Sequence, residues 1–318
     1  MKWSAFQAAF GLVSLFRQKA PIIQFWKDDT TFDFGYIDTT GTIYQLSSDT
    51  KQSPKPLMTP LPSIKDFKKN ENYSLITSSH QKGEKTRLFQ NFVKIQSFSW
   101  NDTTCQEFIT SKGMYFRSNH FGAVHVKNTS SENDESLHHI LRVNETIFHQ
   151  IFLENDCFMI TNYHELQSFQ YKKNKFSKTL SHLLSHEKNV KKLKMIKMGN
   201  CHFFLIIYQD NFIQMLQYNY NYLNLNYKLM HQNEIQLKND IVDCEIHFPY
   251  LFIGTTHFLH VFETRTFDKE PKLLNTYMLN DIPYYTSLTL IRNNLVFNGN
   301  KFIPRFQIKF HDAQKKLD

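Results

Sequence analysis

Between Lys172 and Lys197 the chain carries nine lysines (Lys172, Lys173, Lys175, Lys178, Lys188, Lys191, Lys192, Lys194 and Lys197) against one acid, Glu187. That window holds +8, equal to the formal net charge of the whole chain. Positive charge gathered in this way suits phosphate backbones or acidic protein segments. The window has no arginine, and bidentate reading of bases or phosphates is largely an arginine task. Nucleic acid held here would be bound without sequence preference and released by salt. The plain alternative is a solvated lysine-rich strand and loop. An acidic protein segment and nucleic acid are its functional rivals, with an acidic lipid surface behind them.

Other residues with chemical potential are sparse. His182 and His186 stand four apart in SHLLSH, but no third ligand or nearby glutamate completes a metal site, so both read as loop histidines. The pair His138 and His139 reads the same way. Cys105, Cys157, Cys201 and Cys244 are widely spaced, without a CxxC. They are expected to be buried thiols in a reducing compartment rather than a disulfide framework. The chain has no G-x-S-x-G, H-E-x-x-H, P-loop or G-x-G-x-x-G, and only nine glycines from which to build a phosphate cradle. No catalytic residue, metal or cofactor is expected, and an enzyme with an unrecognised site ranks third among the functional readings.

The elements that would carry these residues show a period. Four segments share an apolar strand, a polar turn and a second strand: Cys157 to Tyr171, Cys201 to Tyr218, Tyr250 to Thr264 and Asn294 to Ile308. Their second strands begin near 165, 212, 258 and 302. Stepping backwards places earlier ones near 123, 85 and 42, giving seven units of about 43 residues. With 30 Phe, 15 Tyr and six Ala in 318 residues, the composition suits β structure better than a helical bundle.

The last unit lacks a strand, since only HDAQKKLD follows residue 310. An open sheet edge exposes unpaired backbone groups. Phe6 to Phe16 is the expected donor of the closing strand, beside Phe302 to Phe310. A cleaved targeting peptide and a free helix are the alternatives. The apolar run from Trp3 to Phe16 is too short for a transmembrane helix, which needs about 20 residues. Trp3, Trp26 and Trp100 are expected in the core or at the closure.

Period, strand count and turn placement resemble the WD-repeat β-propellers over nearly the whole chain, although no Trp-Asp or Gly-His dipeptide occurs. Asp38, Asp210 and Asn300 stand near the turn position where WD repeats keep a bracing Asp, without its usual His and Trp partners in the sequence pattern. The resemblance implies an all-β fold: a single seven-bladed propeller over residues 1–318, closed by the N-terminal strand, with a polar tail at 311–318. Counts of six or eight stay open because the first third is blurred by loops such as Ser47 to Ser63. The function expected of such a rigid disc is a non-catalytic scaffold subunit that docks other proteins, inside the cell in nucleus or cytoplasm. Non-specific nucleic-acid binding through residues 172–197 is the second reading.

Overall fold

The computed structural model describes residues 11–307, apart from 18–19, 29–32, 48–51, 59–60, 62, 81–82, 101–105, 132–133, 187, 222–225, 265–268, 280–283, 292–293 and 300–301. The strands run in chain order as β1 (Gly11–Arg17), β2 (Ile22–Lys27), β3 (Phe34–Asp38), β4 (Ile43–Leu46), β5 (Lys55–Met58), β6 (Ile64–Asn70), β7 (Tyr73–His80), β8 (Gly83–Gln90) and β9 (Val93–Trp100). They continue as β10 (Gln106–Ile109), β11 (Met114–Ser118), β12 (Ala123–Asn128), β13 (Glu135–His139), β14 (Ile147–Leu153), β15 (Asp156–Thr161), β16 (Glu165–Lys172), β17 (Lys175–Leu183) and β18 (Val190–Met198). The last are β19 (Cys201–Tyr208), β20 (Phe212–Asn221), β21 (Asn226–Gln236), β22 (Ile241–His247), β23 (Tyr250–Thr255), β24 (Phe258–Glu263), β25 (Lys272–Met278), β26 (Tyr285–Ile291), β27 (Asn294–Gly299) and β28 (Phe302–Gln307).

These strands form antiparallel sheets of four. Six are made of consecutive strands: β2–β5, β6–β9, β10–β13, β14–β17, β18–β21 and β22–β25. A seventh has the order β1-β28-β27-β26. In it β1 lies antiparallel to β28, from Gly11 opposite Gln307 to Arg17 opposite Phe302. The proposed closing partners 6–10 and 308–310 lie outside the described residues. Together the sheets make an all-β propeller.

Burial along each sheet follows radius. The first strands β2, β14, β18, β22 and β26 line a cavity of about 1110 Å³. A second space of about 280 Å³ lies among β2, β6, β10 and β14. The strand after each first strand is buried almost throughout, as in CHFFLIIY of β19 and DCFMIT of β15. Both faces of such a strand are covered by neighbouring sheets, so it reads as a continuous apolar run rather than an alternating one. The outermost strands alternate between exposed and half-buried, as in β13 and β21, because one face meets water.

The sheets are fastened in succession by side chains near the channel. In six of the seven first strands a β-bulge follows the first paired residue. The residue after each bulge is polar: Gln24, Asp66, His149, Lys192, Asp243 and Ser287. A bulge bends its strand and re-aims the side chains around it. Gln24 Nε2 donates to Asp66 Oδ1 at 2.5 Å, and Gln24 Oε1 accepts from the Phe67 amide at 3.2 Å. Lys68 Nζ donates to the Glu107 carbonyl at 2.7 Å, linking β6 to β10. The Ser118 hydroxyl donates to Gln150 of the next sheet. His149 Nε2 meets the Val190 carbonyl at 2.9 Å. Lys191 Nζ donates to the Ile241 carbonyl at 2.5 Å, and the Leu288 amide donates to Asp243 Oδ2 at 2.9 Å. Val296 packs with Phe34 and Tyr36, bringing the last sheet against the first.

Two of the tryptophans take structural places. Trp26 is buried and packs edge-on to Phe67 at 5.3 Å. Trp100 carries the Arg117 guanidinium 4.3 Å above its ring. Trp3 lies outside the described residues. Cys157 and Cys244 are buried and Cys201 is half-buried; none of the three is in a disulfide, and Cys105 is outside the described residues. Burial pushes the Cys244 thiol well above its ordinary value.

Candidate partner surface and central channel

The lysine window is continuous in sequence and divided in space. Lys172, Lys173, Lys175 and Lys178 lie on the β16–β17 hairpin at the outer rim, and all four are exposed. Lys173 and Asn174 both have positive φ (51° and 58°), the backbone of a two-residue hairpin turn that matches strand twist. Lys178 pairs with Glu165 at 3.4 Å. Lys188 is exposed in the connection to the next sheet. Lys191, Lys192, Lys194 and Lys197 then fall on β18, a first strand at the channel. One connection therefore carries the chain from the outermost radius to the innermost. The nine lysines do not form one surface.

Lys191, Lys192 and Lys194 are committed to neighbouring strands, whereas Lys197 is exposed at the far end of β18. Lys192 Nζ lies 2.9 Å and Lys194 Nζ 3.0 Å from Asp243 Oδ2. Lys194 also pairs with Glu245 at 2.9 Å and donates to the Cys244 carbonyl at 2.5 Å. Burial alone pulls the Lys194 ammonium down, but Glu245 and Asp243 outweigh it and hold the group above the ordinary lysine range. Asp243 is fully buried. Its other oxygen accepts the Cys244 amide at 2.9 Å. These charges neutralise one another and tie β18, β22 and β26 together.

A second buried carboxylate has a similar bracing role. Glu107 Oε1 accepts from the Tyr115 hydroxyl at 2.7 Å and from Thr86 at 2.5 Å, and its other oxygen accepts from Thr77. Tyr115 and Thr86 are themselves buried, and burial with the Glu107 charge pushes the Tyr115 phenol well up. Four hydrogen-bonding residues from two sheets satisfy one another.

His138, His139 and His182 lie on strands rather than in loops, whereas His186 keeps the loop position expected of it. His186 Nε2 meets Asp210 Oδ2 at 2.9 Å, and its ring stacks on Phe212 at 4.4 Å. Asp210 thus has the histidine partner that the dipeptide pattern did not reveal. The signal was present as a histidine in the connection ahead of β18 and an Asp in the turn after β19. Asp38 instead closes its own turn, accepting from the Thr40 and Thr42 amides at 2.9 and 3.2 Å. Asn300 lies outside the described residues. His182 belongs to β17, half-buried edge-on to Tyr218, and burial lowers its pKa. His138 bonds Ser136 at 2.8 Å and packs against Tyr171 and Phe176. His202 is buried beside Phe158 and Tyr227 with neither ring nitrogen hydrogen-bonded, and burial, aided by Lys197, pushes it down to about 4. No group of three or more metal-ligating side chains occurs among the described residues.

No family model matches this chain, and no curated protein sequence matches it either. Solved structures do. The Cps50 (Swd1) β-propeller domain of Myceliophteria thermophila superposes with a TM-score of 0.69 at 10% identity, covering 94% of this chain and 100% of that one. Kluyveromyces lactis Hsv2 gives 0.66 at 12% identity, over 93% and 96% of the two chains. Chaetomium thermophilum Raptor gives 0.66 at 11% identity, over 98% of this chain and 30% of its own. The likeness is one of fold. Among the described residues, no helix is long and apolar enough to cross a membrane.

Large apolar side chains are exposed at several places around the disc, Val93, Met278 and Tyr284 among them, and one set lies where sequence reasoning named no site. Phe121, Val143, Tyr163 and Leu183 are 72%, 88%, 54% and 73% exposed. Each lies in or beside a turn on the side where second strands turn into third strands and sheet leads to sheet. Periodicity could not single them out, because an apolar residue at a turn tip breaks no strand pattern.

Proposed function

We propose that this chain is a non-catalytic protein-docking subunit: one seven-bladed propeller over residues 1–318, closed by its N-terminal strand, with 311–318 as a polar tail. The observation that carries this reading is the set of large apolar side chains held outward on adjoining turns. Isolated exposed hydrophobics are ordinary, whereas a grouped set marks a surface that other molecules cover. The channel supports the same reading, since Lys192, Lys194, Asp243 and Glu245 are spent on joining strands rather than left for a substrate. An intracellular setting, in nucleus or cytoplasm, is part of the proposal.

The rival is nucleic-acid binding through the lysines, and the exposed ones allow a clean comparison. Lys172, Lys173, Lys175 and Lys188 are exposed, so reversing them to Glu should leave the fold intact. Lys192 and Lys194 are unsuitable because their reversal would set like charges around Asp243. We expect the wild type to show feeble affinity for DNA or RNA at physiological salt, little changed by the four reversals. Partners that co-purify should survive nuclease treatment. A tight complex at about 150 mM salt, abolished by the reversals and with a shallower salt slope, would overturn the protein-docking reading.

A further inference from the structure

The seam between the β14–β17 sheet and the β18–β21 sheet is packed with aromatic rings. Phe158 on one wall lies 5.2 Å from Phe204 and 5.6 Å from Tyr227 on the other. His202 of β19 is set among them, 5.7 Å from Phe158 and 5.0 Å from Tyr227. It is 2% exposed, and neither ring nitrogen has a hydrogen-bond partner. A second imidazole reaches the seam from the opposite wall. His182 of β17 lies edge-on to Tyr218 of β20 at 5.8 Å, with its Nε2 buried and unbonded. Among the described residues, these two histidines are the ones with buried ring nitrogens that lack a partner, and both face this seam.

Among the described residues no carboxylate offsets a proton placed on His202. Its cross-strand neighbours are Lys197 on β18, a like charge, and Tyr218 on β20, a neutral phenol pushed up by burial. Tyr227 of β21 and Phe158 of β15 present rings. Asp156, at the start of β15, accepts from Gln170 at 3.1 Å and acts on Lys197 instead. Burial, and then Lys197, hold the His202 imidazole at about 4 against its ordinary 6.5. Between those values an open seam takes up a proton that the closed seam refuses, so closure weakens as pH falls from 6.5 toward about 4. Burial lowers His182 too, which adds to this loss. Asp156 works the other way, because burial raises its carboxyl and acid then favours the closed form.

We propose that this seam is an acid-operated latch: the two sheets close on unprotonated His202 at neutral pH, and its protonation in mild acid parts them before any other seam. Histidine suits such a device because its charge changes in this range. The joint of β18, β22 and β26 is made differently, by Lys192 and Lys194 on Asp243, and holds no unbonded histidine among the described residues. Leu183, next to His182, belongs to the outward apolar set, so parting the seam unsettles one edge of that set.

Trapping of a buried thiol in the full chain tests this. Leu180→Cys places the thiol in the seam, and Leu259→Cys places a control in the core shared by β24 and β26. Both are labelled with a dithiodipyridine at about pH 7.5 and about pH 5, each rate is corrected with a free thiol peptide, and the labelled site is read by mass spectrometry. The seam thiol should report an opening equilibrium about 30-fold larger at the lower pH, the change that a shift from 6.5 to about 4 produces, and the control should barely change. His202→Phe keeps a ring beside Phe158 and Tyr227 but takes no proton, and should remove most of the increase. His202→Gln should do the same. Carbon-13 NMR of histidine-labelled wild type reads the latch without any substitution: His202 should stay neutral at about pH 5 in the closed protein. Opening that rises equally at both thiols, or at neither, would overturn the proposal. So would an increase that survives both His202 variants, or a His202 that titrates near 6.5 while the seam is closed.

Discussion

Replacing Asp243 with alanine should destabilise the protein by about 3–5 kcal/mol, the usual cost of leaving a buried ion pair without one partner. Asp243 is fully buried and serves four groups: the ammoniums of Lys192 and Lys194 at 2.9 and 3.0 Å, and the amides of Cys244 and Leu288, both at 2.9 Å. Its loss strands the Lys192 ammonium and two backbone donors, and leaves Lys194 only Glu245, where β18, β22 and β26 meet. Asp243→Asn keeps an acceptor for one amide but loses the charge, so it should fall between wild type and alanine. Lys192→Met should cost least, because Lys192 is partly exposed and Lys194 still compensates Asp243. Equilibrium urea unfolding checks the order. An alanine variant within about 1 kcal/mol of wild type would mean that these charges do not hold the strands together.

Deleting residues 1–19 should produce the other large effect. The deletion removes β1, whose pairing runs from Gly11 opposite Gln307 to Arg17 opposite Phe302. The outer edge of β28 is then left with unpaired N–H and C=O groups, a template for pairing with other chains. The truncated protein should melt well below wild type and aggregate on warming, and a synthetic peptide of residues 1–19 added in excess should restore much of both. Thermal melts read alongside light scattering decide the matter. A truncated chain that melts like wild type and stays monomeric would show that β1 does not close the ring.

Much of the strand layout could be read in advance. The expected second-strand starts near 123, 165, 212, 258 and 302 coincide to the residue with β12, β16, β20, β24 and β28. Those pairs are legible because a strand buried on both faces must be continuously apolar and its neighbour must begin after a polar turn. Earlier in the chain, Thr42 and Lys85 miss β4 and β8 by one and two residues. The first strands hid a repeat that periodicity does not measure. Apolar, any residue, polar recurs at Ile22-Ile23-Gln24, Ile64-Lys65-Asp66, Ile147-Phe148-His149 and Ile241-Val242-Asp243, each spanning a bulge. A bulge offsets the two-residue alternation, so the strand reads as irregular.

The site was less legible. Summing charge along residues 172–197 ignores that a connection between sheets crosses from rim to channel, which sent Lys172 and Lys194 to opposite radii. Nor does a linear count reveal that Asp243 and Glu245, some fifty residues on, already neutralise Lys192 and Lys194. Phe121, Val143 and Tyr163 stand about twenty residues apart, and only the hydrogen bonds among three loops bring them onto one platform.

Hydrogen exchange measured on the protein alone and in its native assembly tests that platform as the docking surface. Amides in the turns at 119–122, 140–146 and 162–164, together with the end of β17, should exchange more slowly in the assembly. The β8–β9 turn around Asn91 and Phe92, on the opposite side of the disc, should be unchanged. Protection confined to that opposite side or to the outer strands, with the three turns exchanging as in the free protein, would contradict the account.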